Sequence, residues 1–435
     1  MGKDLCFAED MEQQDHLSLD SASYTVAPAD DRPYRVDIPM RALDDGFHNN
    51  LKRMYDYLNV KYTSSKFIYP LSTVARDSDA SHAKPAPYYI HSSSNHQVPP
   101  IRPERQGYAT WISQVILLAI GYFWFTTCCF LVKPKTAATQ SSNEDESFRE
   151  YLARIRLSRS FSKKYLLPLL SSVTTCPHDA LLNFPAVDCV EYARRTYRQP
   201  HYTATGGVQH VQEKLSKDLT VRLGATVTAV EDVDSKVRVS WTEKTTTVAA
   251  SSKTFDHVIM AVTPNVVGAI YEPLREPMTA IPVVSGESVV HRDTTAIPDC
   301  GKAIEKSSSS EKSQSQYQIR QTLYICSDSA ATESIHELPS SIFVTNFPIS
   351  AIDPAKILHR ARLTRVLRTP RSRKLVNGIF ASDGSEVDEK NRPWRNGSGN
   401  VWLVGAWCWD GMVLLEGCVV SAMRVASSLG VEVPW

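Results

Sequence analysis

No run of the form G-x-G-x-x-G occurs anywhere in this chain, so the usual loop that lays backbone N–H groups against a pyrophosphate is not encoded. The nine cysteines show no C-x-x-C spacing and no even framework. That excludes a disulfide scaffold or zinc ribbon and points to reduced, intracellular thiols. Cys128 and Cys129 lie in an apolar run and read as packing residues. Excess charge is also lacking: 48 basic and 47 acidic residues give a net charge of +1, which predicts no polyanion and hence no nucleic-acid partner. The local basic patch Arg365 to Lys374 reads as a solvated insertion. The first twenty residues contain no apolar core of a secretory leader, and Cys6 stands where a myristoylation site wants Ser or Thr. In a chain that stays out of the secretory lumen, the sequon Asn396-Gly-Ser carries no meaning. No metal-ligating cluster, Ser-His-Asp set, paired catalytic carboxylates or internal repeat stands out.

What the sequence does carry is concentrated at its carboxyl end. Val401-Trp-Leu-Val-Gly405-Ala-Trp-Cys-Trp-Asp-Gly411 reads as a buried strand and a tight glycine turn, followed by a helix from Met412 to Leu429 that stops at Gly430. A helix starting there presents unpaired N–H groups and a positive dipole end to an electron-rich or anionic group. Any strand-turn-helix closing a parallel sheet would look the same.

Two earlier segments complete a pattern. Tyr202-Thr-Ala-Thr-Gly206-Gly207 opens an amphipathic helix through Leu215, followed by the strand-like Val221 to Glu231. Phe255 to Thr263 is an apolar strand stopped by Thr263-Pro264, and between the two lies a β-meander with alternating Val237, Val239 and Trp241. In this order the segments resemble the flavin-containing amine oxidase superfamily, within an amine-oxidase-like group of FAD/NAD(P)-binding proteins. Val289 to Pro298 and Ile352 to Leu358 add to the likeness, which covers most of residues 30 to 435.

The resemblance implies an α/β fold. Its discontinuous Rossmann-like FAD-binding domain, glutathione-reductase-like and of amine oxidase type, would comprise residues 20–65, 200–270 and 398–435. An inserted α+β substrate domain would comprise 66–199 and 271–397. The implied cofactor is FAD. Gly206, Gly207 and Val227 would follow its ADP half, and Ala261 to Thr263 its ribityl side. Gly405, Ala406, Gly411 and Glu416 would follow the ribityl and isoalloxazine side, with Trp407 and Trp409 walling the flavin face or simply packing. Ala406 stands where many members carry an acidic residue, and Cys408 is not the family's attachment cysteine. Tyr34 to Arg41 matches the segment that follows the family's first βαβ unit, with Asn49 to Leu58 as the next helix. The first strand, glycine loop and first helix have no counterpart. Two readings of that departure stay open: a shortened chain, or a member that has lost ordinary FAD binding.

Trp111 to Val132 is uncharged, long enough to cross a bilayer, and flanked by Arg102 and Arg105 before it and Lys133 and Lys135 after it. A single span would put halves of one domain on opposite sides of a membrane. The physical expectation is therefore a helix, or a helical hairpin about Gly121, that dips into one leaflet or lines an apolar tunnel. That makes the chain membrane-associated on the cytosolic face.

Spacers separate these landmarks. Ser72 to Pro103 reads as a surface loop, Lys133 to Glu146 as a linker, and Lys302 to Gln316 and Asp383 to Asn400 as polar insertions; Ser147 to Leu170 has helical spacing. For acid/base work the sequence offers His291 and Asp293, which alternation puts on one face, where a carboxylate would raise the imidazole's basicity. A structural turn of polar residues is the competing reading. His178 and Asp179 offer a second pair, or a helix cap beside a surface histidine. The function that follows is an FAD-dependent oxidoreductase oxidising or desaturating a small apolar substrate. The alternative is a scaffold that has lost FAD and binds a ligand or partner. Oligomeric state is not legible.

Overall fold

The computed structural model describes residues 22–26, 34–74, 87–92, 102, 107–137, 144–243, 251–295, 297–298, 319–380 and 394–435. The expectation for Lys302 to Gln316 lies outside the described residues, as does most of that for Asp383 to Asn400.

Strand formation follows β-branched and aromatic runs. The strands are β1 (Ala22–Val26), β2 (Tyr34–Ile38), β3 (Leu43–Asp44), β4 (Tyr62–Thr73), β5 (Pro87–Ser92) and β6 (His201–Ala204). A meander follows, β7 (Ala225–Val233), β8 (Lys236–Glu243) and β9 (Ser251–Phe255), leading into the short β10 (Val258–Met260). Then come β11 (Val283–His291), β12 (Ile319–Ser327), β13 (Thr332–Leu338), β14 (Ile342–Asn346), β15 (Ile357–Val366) and β16 (Val401–Leu403). The largest sheet among the described residues runs β15-β11-β14-β13-β12-β4-β6-β3, with β5 paired to β4. Its one parallel neighbour pair is β4 with β12; the rest are antiparallel. β4 runs through residue 65 without a break and pairs with β6, so both sides of the expected domain boundary share one sheet.

The helices that matter are α1 (Asn49–Tyr57), α2 (Tyr108–Leu131), α3 (Phe148–Arg154), α4 (Arg159–Phe161), α5 (Leu167–Thr174), α6 (His178–Leu182) and α7 (Ala186–Thr196). After them come α8 (Gly207–Ser216), α9 (Pro264–Ile270), α10 (Arg275–Met278), α11 (Pro370–Phe380) and α12 (Leu415–Ser428). α3 starts on a capping box, in which the Ser147 hydroxyl accepts from Glu150 N–H and the Glu150 carboxylate accepts from Ser147 N–H. The largest core joins Leu71 and Ile325 of the sheet to Phe148, Tyr151, Leu181 and Cys189 of the helices, and to Leu118, Phe125, Cys128 and Cys129 of α2. A second core gathers Val230 and Val237 of the meander, Met260, Val401 and Leu403 of β10 and β16, Val376 and Ile379 of α11, and Trp407.

The sequence reading needs four corrections here. The carboxyl-terminal helix starts at Leu415 rather than Met412, because Met412 and Val413 are buried in the turn that leads into it. α2 is one continuous helix with no hairpin at Gly121, since Phe161 packs directly on that glycine and needs it without a side chain. The stretch expected as a surface loop contains β5, whose Ile90 is buried against the sheet. Pro177 precedes α6 and Asp179 lies inside it, exposed on Arg149, while His178 is buried on Thr332, so the two never meet as a pair.

Candidate active site

β10 and β16 run parallel, with Val258 opposite Val401 and Met260 opposite Leu403, and Val404 N–H donates to Met260 C=O at 3.1 Å. Their carboxyl ends deliver Thr263 to the start of α9 and Gly405 to a loop that ends at α12. Gly405 has φ of +144°, which a side chain would make costly. Its N–H donates to the Ser421 hydroxyl at 3.0 Å and its C=O accepts from the same hydroxyl at 3.2 Å, tying the turn to α12. Trp407 turns inward and donates its indole N–H to Val262 C=O at 3.0 Å.

A buried cation organises the rest of this loop. Arg368 is 1% exposed and donates to the carbonyls of Trp407, at 2.7 Å, and Trp409. Asp188 lies 4.0 Å from Arg368 and 3.3 Å from Arg373. Burial pushes the Asp188 carboxyl up to about 6 although both guanidiniums draw it down, and burial lowers Arg368. The basic run Arg365 to Lys374 is therefore no solvated insertion. Arg365 donates to Thr174 C=O, and Arg373 pairs with Asp145. Sequence reasoning missed Arg368, and the signal available was its place between apolar Val366-Leu367 and the Thr369-Pro370 helix start.

Trp409 stacks edge-on against Phe47 at 5.8 Å and donates to Met412 C=O at 3.0 Å. A methyl group built on Gly411 would lie 2.6 Å from its ring, and one on Gly417 would lie 2.4 Å from its indole nitrogen. Those two glycines accommodate Trp409.

Three helix starts converge beside this loop. At α8, Gly206 and Gly207 have φ of +89° and +74°, and Val208 N–H donates to both oxygens of Asp37 at 3.0 and 3.1 Å. A Cβ on Gly207 would meet Asp37 Oδ1 at 2.8 Å. Burial raises the Asp37 carboxyl, against the lowering effect of Val208 N–H, Ser23 and Arg41. At α1, Asn50 N–H, Asn50 Nδ2 and Leu51 N–H donate to Glu416 at 2.9, 2.7 and 3.0 Å, so Glu416 caps a neighbouring helix rather than pointing at a ligand. At α12 the N-cap residue is Leu414, whose side chain makes no capping hydrogen bond, and Gly417 N–H donates to Leu414 C=O at 2.9 Å. A small pocket between these starts is lined by Asp37, Arg41, Leu51, Tyr55, Val208 and Leu415. Burial pushes the Tyr55 phenol up to about 12.

Of the residues expected from sequence, Thr263, Gly405, Ala406, Trp407 and Gly411 gather at the ends of β10 and β16. Gly207 and Glu416 border the helix-start side, Gly206 is exposed beside them, Val227 lies in the meander and Ala261 is exposed. His291 and Asp293 sit elsewhere, at the end of β11. His291 Nε2 bonds Thr345 Oγ1 at 2.7 Å, and its Nδ1 accepts from Asp293 backbone N–H rather than meeting the carboxylate. Burial lowers the imidazole, outweighing the raising effect of Asp293. The Asp293 carboxylate accepts from Thr295 and Asp353 N–H and pairs with Lys356, and these contacts hold it below the usual range despite burial. Both side chains brace a sheet corner.

A flavin fits one end of this arrangement better than the other. Its electron-rich ring edge suits the uncapped start of α12 next to the pocket. Its phosphates find no such place at α8, where Asp37 already occupies the Val208 N–H. Among the described residues, no three or more His, Cys, Asp or Glu side chains form a metal-binding group.

Residues 132–338 match the profile of a family described as flavin containing amine oxidoreductase. No curated protein matches the sequence. Among solved structures, cyclohexylamine oxidase from Brevibacterium oxydans IH-35A is similar at 11% identity and a TM-score of 0.51, covering 98% of this chain and 92% of that one. Wild-type putrescine oxidase bound to putrescine gives 12% identity and a TM-score of 0.55 over 96% and 92%. A CLA-producing fatty acid isomerase from P. acnes gives 10% and 0.55 over 97% and 92%. At these identities the likeness is one of fold: a Rossmann-like FAD-binding domain joined to a substrate domain.

Proposed function

We propose that this chain, whose residues 132–338 match the flavin containing amine oxidoreductase profile, is a flavin-dependent oxidoreductase of that superfamily acting on a small apolar substrate. The observation that carries this reading is the junction at which the carboxyl ends of β10 and β16, the uncapped first turn of α12 and the Asp37–Arg41–Tyr55 pocket adjoin. FAD bound there would supply the hydride-accepting ring. Leu415 and the α12 start would orient that ring, Thr263 and Gly405 would follow its ribityl side, and the buried Trp407 would keep water out from below.

The fatty acid isomerase among the similar structures bears an apolar substrate in its name, and the two oxidases act on amines by theirs. An apolar substrate for this chain is supported by its aromatic interior, in which Tyr69, His91, Tyr122 and Phe161 stand ring to ring and Tyr69, Tyr122 and Phe161 belong to the same core as Trp409. A second reading, a scaffold that has given up FAD, is favoured by the Asp37 carboxylate at the start of α8, where it would repel a phosphate.

The visible absorption spectrum of the purified chain, taken before and after adding FAD and removing the excess, separates the two. A bound-flavin spectrum supports the oxidoreductase and justifies a screen of apolar substrates. A protein that stays colourless supports the scaffold.

A further inference from the structure

α2 is long and apolar enough to cross a membrane, with a mean hydropathy of 1.8 over a window of which 28% is buried. Its position rules out a crossing in this fold. Leu118, Gly121, Phe125, Cys128 and Cys129 form a buried stripe along its length, packed into the largest core. At roughly 100° per residue that stripe covers an arc of about 100°. The outer arc, about 120° wide by the same count, is mostly apolar and open to solvent. There Ile116, Leu117, Ile120, Phe123 and Leu131 are 53%, 66%, 59%, 72% and 77% exposed. A ridge of this kind on a folded body marks an interaction surface.

The rim identifies the partner. Trp124 on the ridge donates its indole N–H to Ile155 C=O, and Phe161 packs on Gly121. The strip that holds those anchors, Ile155 to Lys164, carries Arg156, Arg159, Lys163 and Lys164 and no acidic residue. All four cations are exposed, and none has an ion-pair partner among the described residues. At the helix's ends Arg102 lies over the Tyr108 ring at 4.2 Å and Arg194 over the Phe130 ring at 5.8 Å. Arg194 is also paired with Glu191, whereas the four cations of the strip are not; an apolar ridge bordered by those four complements an anionic lipid surface, with the ridge among the acyl chains and the cations at the headgroups.

We propose that α2 seats the protein in the plane of an anionic membrane, entering one leaflet without spanning it. This rests on the helix and its rim alone and stands independently of whether the chain holds a flavin.

The test is co-sedimentation of the full chain with preformed vesicles of phosphatidylcholine, with and without a minority of phosphatidylglycerol. Wild type should bind the mixed vesicles and lose most of that binding in high salt. Combining Leu117→Ser, Ile120→Ser and Phe123→Ser, with an unchanged circular dichroism spectrum, should weaken binding by about tenfold or more. Combining Arg156→Glu, Arg159→Glu and Lys163→Glu should abolish the preference for the anionic lipid while leaving the fold intact. Single cysteines placed at Gly107 and Val132 should both react with an impermeant maleimide added outside the vesicles. The proposal is overturned if wild type ignores both vesicle types, or if the ridge variant binds as wild type does. It is equally overturned if only one end of α2 can be labelled, or if the ridge instead holds a concentration-dependent dimer that the serine variant dissociates.

Discussion

Glu416 shows how one carboxylate can fix two distant parts of the chain. It accepts from three donors at the start of α1, and its own helix follows β16, so α1 and α12 move as one piece. Glu416→Ala leaves those donors buried without a partner and should cost about 2–3 kcal/mol in urea unfolding; Glu416→Gln, which keeps one accepting oxygen, should cost less. His336 makes a different prediction. Its Nε2–H donates to Gln321 Oε1 at 2.9 Å inside the large sheet, and burial holds it down at about 4. The unfolded chain takes up a proton near pH 6.5 and the folded one only near pH 4, so stability is full above the upper value and drains away as the pH falls between them. The loss is on the order of 3 kcal/mol at most. Buried His178 and His291 shift in the same direction and add to it. Unfolding midpoints measured across that window should fall more gently for His336→Gln than for wild type.

Among the elements, the loop between β16 and α12 is packed from both sides. Gly417→Ala would push a methyl group into the Trp409 ring and should destabilise by about 1–3 kcal/mol, a loss that a second change, Trp409→Phe, should partly recover. The free edge of β16 is handled by a side chain. The Asn396 amide accepts from Leu403 N–H at 2.6 Å and donates to Leu403 C=O at 3.2 Å, as a neighbouring strand would. Asn396→Ala should therefore lower the unfolding midpoint and speed amide exchange at Leu403 above that of Val401. This is also where sequence reading reached its limit. The Gly-Gly helix start, the meander with Val237, Val239 and Trp241 facing inward, and the last strand and helix were legible, since each rests on local periodicity and turn chemistry. The Arg368 clamp and the Asp37 and Glu416 helix caps were not, because each joins residues far apart in sequence, and the Asn396 edge cap was not, because it depends on a loop folding back onto Leu403 seven residues on. His291 and Asp293 show the converse: alternation put them on one face, but neighbours from β14 and the Asp353 turn took up their polar atoms.

Taken whole, the molecule divides its apolar residues between two large cores and an outward ridge on α2. The likeness to flavin-containing amine oxidases was legible from three short segments, two of which end at the carboxyl ends of β10 and β16, where backbone geometry restricts what can stand. The ridge's orientation was not legible from hydropathy, which weighs both faces of α2 alike.

The pairing of β10 with β16 has a consequence for how the chain is made. Synthesis proceeds from the amino end, so β10 leaves the ribosome long before residues 401–403 exist to pair with it. Arg368, too, emerges ahead of the two carbonyls it will bind. Until the last stretch is released, a nascent chain holds an orphaned strand and a guanidinium without its acceptors. A stop codon or a proteolytic cut shortly before Val401 would therefore strand the protein in a half-made state and give chaperones a clear substrate, whereas the sheet around β4 and β12 would already be complete.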